Sequence, residues 1–359
     1  MVGAKGYSSY RGRGSKWKIL LVIVLLLTIA VSASVLYMQQ YLVYSPDGHR
    51  QIVLPWQTEP EDSPLPENPE DDPLNNVDVV LQNPEPQKAA EILAYALPAQ
   101  ALTSPAWAEW LAGGRGQAGG AVAVRLKTSN GTIYYDSAHA VSGAVQLAPE
   151  PGDTAAVLRA ITAREDLHTI ASMACLQDFK AANADVEGRG LKNTGGYIFY
   201  DGNNSLWLDP AKPAAREYVC ALAKEIAELG FDELLLTDFS YPTEGKINKI
   251  SYNTDVPLAD NLDLLLDELH TALEPYEILL SVEIPEAVIS QGPDTVAGLD
   301  LSHLAGKVDR IYALTTADQA EALASRVAQA AGNEEKTEFV PELAADSPTL
   351  TGSRLILAE

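Results

Sequence analysis

The chain has 359 residues, 47% of them hydrophobic and 21% charged. These are values of a folding chain with room for a barrel of about 250 residues plus appendages, and they exclude a wholly disordered, collagen-like or multi-span membrane protein. With 25 Lys+Arg against 49 Asp+Glu the formal charge is −24, a surface that repels phosphate backbones, so nucleic acid is excluded as a partner.

Residues 1–18 carry Lys5, Arg11, Arg13, Lys16 and Lys18 and no acid, and residues 19–37 carry no charge at all. At 1.5 Å per helical residue the uncharged run covers about 28 Å, close to the roughly 30 Å of a hydrocarbon core. The pattern predicts a basic cytoplasmic tail over 1–18 and a transmembrane helix over 19–38, in contact with the lipid bilayer and retained as a signal-anchor. A cleaved signal peptide is the rival, because Val31-Ser32-Ala33 holds small residues, but its apolar stretch is normally only about 7–15 residues. Basic residues stay inside, so the expected location is the cell membrane, single-pass, with a cytoplasmic N-terminus and everything after the helix outside.

Residues 39–57 read as a short hairpin, with Tyr41-Leu42-Val43-Tyr44 and residues 51–56 joined through Ser45-Pro46-Asp47-Gly48. Residues 58–86 are rich in proline and acids, and from Thr58 to Gln87 there is no Lys or Arg. Fixed proline dihedrals and like charges make a disordered, stretched linker.

From residue 87 to 359, short apolar runs alternate with helical patterns, the rhythm of βα units on a parallel sheet. Strands are predicted at 92–98, 121–127, 167–175, 232–238, 277–283, 308–314, 337–342 and 354–358, and helices at 104–112, 153–164, 211–229, 260–273 and 317–331. Pro213 falls in the first turn of the third helix and Gly230 ends it. Eight strands with crossovers favour an α/β fold of the (β/α)8 TIM-barrel type over an open sheet. Its C-terminal end looks incomplete, since no clear helix separates the last two strands. The glycines at 113–116 and 119–120 precede a strand and lack the Lys-Ser/Thr of a phosphate loop, so they read as a flexible turn.

In such a barrel, catalytic groups stand at the carboxyl ends of the strands. The fourth strand emerges at Asp238 and the fifth at Glu283, so adjacent strands each present an acid. Two carboxylates facing a cleft are the minimum for cleaving a glycosidic bond, one protonated to assist the leaving group and one ionised as nucleophile or base. The alternative is that both are solvated strand ends or partners of Lys127 and Lys246. Asp232-Glu233 begins the fourth strand at the lower face, where an ionic cap or a helix contact is expected in place of catalysis.

Trp207-Leu208-Asp209-Pro210, Arg216-Glu217-Tyr218, Gly230-Phe231-Asp232-Glu233 and Tyr241-Pro242 together resemble the glycosyl hydrolase-like family of bacterial extracytoplasmic TIM-barrel proteins, whose members read W-x-[ND]-P, then G-F-D-E-[IV], then D-Y-[VI]-R-F-P. Val122 to Lys127 with Gly131 and Tyr134-Tyr135 resembles the family's V-V-I-D-V-K-D…G…Y segment, and the strand ending Gln177-Asp178-Phe179-Lys180 its I-A-R-x-x-x-F-K-D segment. The resemblance implies a glycoside hydrolase-like barrel that takes a polysaccharide or other glycan as partner, with Glu283 and Asp238 as catalytic candidates and Lys127, Trp207 and Tyr241 as substrate-binding candidates. A barrel that binds glycan or a protein partner without cleaving it is the alternative.

That alternative rests on departures from the family pattern. Arg125 stands where the family has an acid, and Ser172 or Met173 where it has Arg. With Pro242 aligned, the family's Asp falls on Thr237, its Tyr on Asp238 and its Arg on Ser240. Asp238 can replace the missing acid only by a one-residue shift, which needs a bulge or a rearranged loop to turn it into the mouth. Lys127 at its strand end is expected either to hold a carboxylate ionised or to form an ordinary ion pair. Trp207 is expected to pack against the barrel or, with Tyr197 and Tyr200, to stack on a sugar. His139, His168, His270 and His303 show no metal-ligand or triad spacing, and the two cysteines, Cys175 and Cys220, read as buried free thiols, with pairing across the fold in an oxidising exterior as the alternative, so no metal or organic cofactor is implied.

Overall fold

The computed structural model describes two strands at 42–44 and 50–52 and, beyond them, residues 91–97, 102, 106–107, 109–110, 120–147, 154–252, 255–332, 337–347 and 350–357. The basic tail over 1–18, the transmembrane helix expected over 19–38, the linker over 58–86 and the glycine-rich stretch 113–119 lie outside the described residues. No helix among the described residues is long and apolar enough to cross a membrane. The chain divides between Leu81 and Gln82. In the first unit β1 (Leu42–Tyr44) pairs antiparallel with β2 (Arg50–Ile52), Val43 opposite Gln51, as the turn residues between them predict.

The second unit holds a closed ring of eight parallel strands: β3 (Leu93–Ala96), β4 (Ala121–Lys127), β5 (His168–Ala174), β6 (Glu233–Thr237), β7 (Leu279–Glu283), β8 (Arg310–Leu314), β9 (Glu338–Leu343) and β10 (Arg354–Ile356). The C-terminal end that looks incomplete in the sequence is the closure: Leu355 of β10 pairs with Glu342 on one side and Ala94 on the other. Around the ring stand α1 (Thr154–Thr162), α2 (Phe179–Ala184), α3 (Pro213–Glu228), α4 (Leu258–Leu273), α5 (Glu286–Gln291), α6 (Leu301–Leu304) and α7 (Ala317–Ala331). Residues 106–107 and 109–110, the described part of the helix expected over 104–112, are helical. Pro213 opens α3 at a position whose N–H needs no helical partner, and Gly230 follows its C-cap at φ +86°, where a side chain would be strained.

Strand alternation builds two cores. Ala94, Ala121, Ala123, Ile170, Leu235, Tyr312, Val340 and Leu355 fill the ring, small residues on β3 and β4 facing large ones across it. Val122, Val124, Leu126, Leu234, Leu236, Leu280, Val282 and Ile311 point outward and pack under the helices. Below the inner layer the ring is closed by charge. Glu233, fully buried, accepts hydrogen bonds from Ser281 Oγ at 2.6 Å, Tyr312 Oη at 2.8 Å and Arg310 Nη1 at 2.5 Å, and His168 Nε2 lies 2.8 Å away. Burial alone would raise its pKa, but the contact with His168, the charges of Arg310 and His168 and the Ser281 hydroxyl outweigh it and hold Glu233 at about 2. This is an ionic cap, one of the two roles expected at the lower face.

Candidate active site

The same alternation decides what reaches the upper rim. Inward Ala121 and Ala123 lead to Arg125 on β4, inward Ser281 leads to Glu283 on β7, and inward Val340 leads to Glu342 on β9. Glu342 shares a rung with Leu355 of the inner core and with Leu314 on β8, while Glu283 shares one with Tyr312, two residues lower on that strand. Glu283 and Glu342 therefore flank β8 at the mouth, with Leu314, 58% exposed, between them. Arg125 pairs in register with Ser172, so the cation stands one strand over from where the family pattern carries its arginine.

Asp238 follows β6 at φ +51°, a left-handed conformation that non-glycine residues seldom adopt and that Asp tolerates better than most. No bulge is needed, since the β5–β6 register runs unbroken from Ile170–Glu233 to Ala174–Thr237. The left-handed turn is the rearrangement that the sequence demands of Asp238 if it is to leave the strand's alternation. Its carboxylate accepts a hydrogen bond from Ser129 Oγ at 2.7 Å, from the loop after β4.

The carboxyls at the mouth sit in different environments. Burial raises the pKa of Asp238, opposed by the Ser129 hydrogen bond and by the charges of Lys127 and Arg125. Glu283 is raised by burial and by the charge of Asp238, with Arg125 opposing. Glu342, 5% exposed, is pushed up to about 8 by burial and the charge of Glu283, again with Arg125 opposing. Among the described residues neither Glu283 nor Glu342 has a hydrogen-bonding partner for its carboxyl, and no acid lies in salt-bridge contact with Arg125. Glu283 is only partly buried and neither carboxyl is sealed from solvent, so their hydrogen-bonding capacity is open to a ligand in the mouth.

The three residues expected to bind substrate are placed in the wall. Lys127 Nζ lies 2.9 Å from Asp178 Oδ2, with the two side chains 1% and 0% exposed, and also donates to the Ala174 carbonyl. It forms the ion pair that was one of its two expected roles, and its ammonium is closed off from a ligand. Trp207 is buried in the outer core and donates Nε1–H to Asp201 Oδ2 at 2.9 Å, the packing role. Tyr241 is 2% exposed, packs edge-on against Tyr252 and accepts a hydrogen bond from Asn261 Nδ2 at 3.1 Å, which leaves it no face for a sugar. Tyr197 at 76%, Tyr200 at 49% and Phe179 at 40% are the exposed rings of the excursion after β5. Sequence reasoning missed Glu342 and Ser129. The signal for Glu342 was present, because the strand-end rule that selects Asp238 and Glu283 selects it too.

The Trp207-Leu208-Asp209-Pro210 motif borders a separate cleft of about 530 Å³, lined by Lys192, Asn193, Asp209, Lys212, Ser251 and Tyr252 among others. Asp209 spends one oxygen on the Ala211 N–H and Lys212 bonds the Val186 and Gly190 carbonyls, so both act as braces for the loop. Cys175 and Cys220 are free thiols.

Residues 115–315 match the profile of a family described as "Putative glycosyl hydrolase domain". No curated protein matches the chain. Among solved structures, the glycoside hydrolase domain of PgaB (BpsB) from Bordetella bronchiseptica is similar at 14% identity and a TM-score of 0.50, over 71% of this chain and 84% of that one. A hypothetical protein from Ruminiclostridium thermocellum is similar at 22% identity and a TM-score of 0.42, over 54% of this chain and 96% of that one. The glycoside hydrolase domain of PelA from Pseudomonas aeruginosa is similar at 13% identity and a TM-score of 0.37, over 70% and 83%. At such identities the PgaB likeness concerns the fold.

Proposed function

This chain belongs to that glycosyl hydrolase family, and from this premise we propose that its barrel cleaves a polysaccharide held across the carboxyl-end mouth. The observation that carries the proposal is the contrast between two carboxyls on adjacent strands. Burial raises both, but Asp238 has a hydroxyl donor and two cations opposing that rise, whereas Glu283 has no donor, feels the charge of Asp238 and is opposed by Arg125 alone. Environments that push two acids apart assign an acid and a base. Protonated Glu283 gives its proton to the glycosidic oxygen as the C–O bond breaks with its electron pair going to that oxygen, and ionised Asp238 attacks the anomeric carbon or draws a proton from the water that does. Leu314 and the exposed rings Phe179, Tyr197 and Tyr200 offer apolar faces for sugar rings.

The charge pattern of residues 1–38 supports a single-pass anchor in the cell membrane with residues 1–18 in the cytoplasm, the 39–57 hairpin outside, and the 58–86 linker tethering the barrel over 87–359. The test is release of reducing sugar by the intact protein from peptidoglycan, capsular, plant and mucosal polysaccharides. Turnover that Glu283→Gln abolishes without moving the melting curve supports the assignment, and turnover indifferent to that substitution removes it. A second reading, binding of glycan or a protein partner without cleavage, draws on Arg125 standing where the family carries an acid. It is favoured if the chain binds a glycan whose linkages stay intact.

A further inference from the structure

Glu342 lies beyond the residues matched by the family profile and has no part in the chemistry above, yet the ring brings it to the same mouth. Its inward direction is fixed twice, by Val340 two residues before it and by Leu355 on its rung, both members of the inner core. The residue is 5% exposed, and its carboxyl, which keeps a little access to solvent at the mouth, has no hydrogen-bonding partner among the described residues. The strands on either side supply nothing polar at its height: Leu314 comes from β8 and Leu355 from β10. The charged groups that reach it are Glu283 on β7 and Arg125 on β4, and Glu283 in turn faces Asp238 beyond β6.

We infer that Glu342 is a third carboxyl of the site, sharing a single proton with Glu283 across β8. The physical reason is that two neighbouring carboxylates with little solvent access and no hydrogen-bond donor cannot both ionise cheaply, so loss of the first proton raises the cost of losing the second. Arg125 is the one cation that acts on all three acids, Lys127 adding to Asp238 alone, and Arg125 is in salt-bridge contact with none of them. Glu342 is thus a positioning residue, acting through Glu283 by keeping a proton available to it above the pH at which an isolated glutamate is ionised. The use of that proton in glycoside cleavage rests on the function proposed above, but the sharing itself does not.

The experiment follows the glutamate carboxyls of the intact protein in detergent micelles by 13C NMR, with selectively labelled glutamate and assignment by difference against Glu283→Gln and Glu342→Gln. The expected result is reciprocal: each substitution lowers the midpoint of the remaining carboxyl by about one pH unit or more. Midpoints that stay in place in both variants overturn the inference. Should one variant fail to fold, the other decides by the same criterion from its own side. Where the wild type releases sugar, the alkaline limb of kcat/KM falls in Glu342→Gln by the shift seen for Glu283, a displacement that mere wall packing would not produce. Reciprocal shifts in a protein that releases no sugar would sustain the sharing and count against hydrolysis alone.

Discussion

Replacing Lys127 by Met tests whether this lysine holds the rim together or reaches substrate. The pair it forms with Asp178 is 2.9 Å long with both side chains in the dry interior. Asp178 is also the N-cap of α2, accepting the Ala181 N–H at 2.8 Å, and receives the Tyr218 hydroxyl of α3 at 3.4 Å. Gly131, at φ +80°, passes so close that a Cβ there would sit 2.1 Å from Asp178 Oδ1. One buried carboxylate thus ties the loop that carries Ser129 to the excursion that carries the exposed rings. Removing the cation leaves that carboxylate uncompensated, which costs about 3–5 kcal/mol and lowers the melting temperature by on the order of 10 °C. Adding Asp178→Asn should recover part of the loss, because the bare charge is gone, though not all of it, because the cap is weakened. Thermal and denaturant unfolding of the two single variants and the double variant give the coupling, and KM on the folded protein gives the other half. A Lys127→Met protein that melts like wild type but loses substrate affinity would refute the reasoning.

Other expectations follow from the same geometry. Asp238→Asn should keep the fold, since Asn tolerates the left-handed turn, while Asp238→Val should lose about 1–3 kcal/mol in denaturant unfolding; equal losses would mean that φ +51° is not being sensed. Gly131→Ala should destabilise more than an ordinary loop substitution, by both its φ and its contact with Asp178, and Asp178→Ala should relieve the contact share of that cost, as a double-variant cycle would show. Glu233 is held at about 2 in the folded protein against about 4.3 for a free glutamate. Its stabilisation is therefore present above about 4.3 and lost as pH falls toward about 2. The urea midpoints of wild type and Glu233→Gln should differ at pH 6 and converge in that acid window, and a constant gap would contradict the assignment.

The fold was legible because its signals are local. Apolar runs of strand length separated by amphipathic stretches place all eight strands, the terminal residues of α7 match the predicted helix, and Pro213 and Gly230 frame α3. Glu233 was legible as a lower-rim residue because it opens a strand. The mouth was only partly so. Alternation along β6 puts Asp238 on the side opposite Thr237, and only the left-handed turn after the strand frees it, which no residue pattern announces. Lys127 had two possible roles in charge terms alone, and Asp178, 51 positions on, becomes its partner through the register of β4 and β5 and the loop at Gly131. Tyr241 and Trp207 belong to motifs, but motif membership does not separate packing from binding; burial does. Glu342 was overlooked although it ends a predicted strand, because its meaning depends on ring closure, which sets it and Glu283 on either side of β8.

The most direct measurement is a crystal structure of Glu283→Gln with an oligosaccharide of the glycan that the protein recognises. Sugar should be found over the carboxyl ends of the strands, with a glycosidic oxygen beside residue 283, Asp238 on the anomeric side and Arg125 within hydrogen-bonding reach. Sugar bound instead in the outer cleft beside Asp209 and Tyr252, with the mouth empty, would contradict the account.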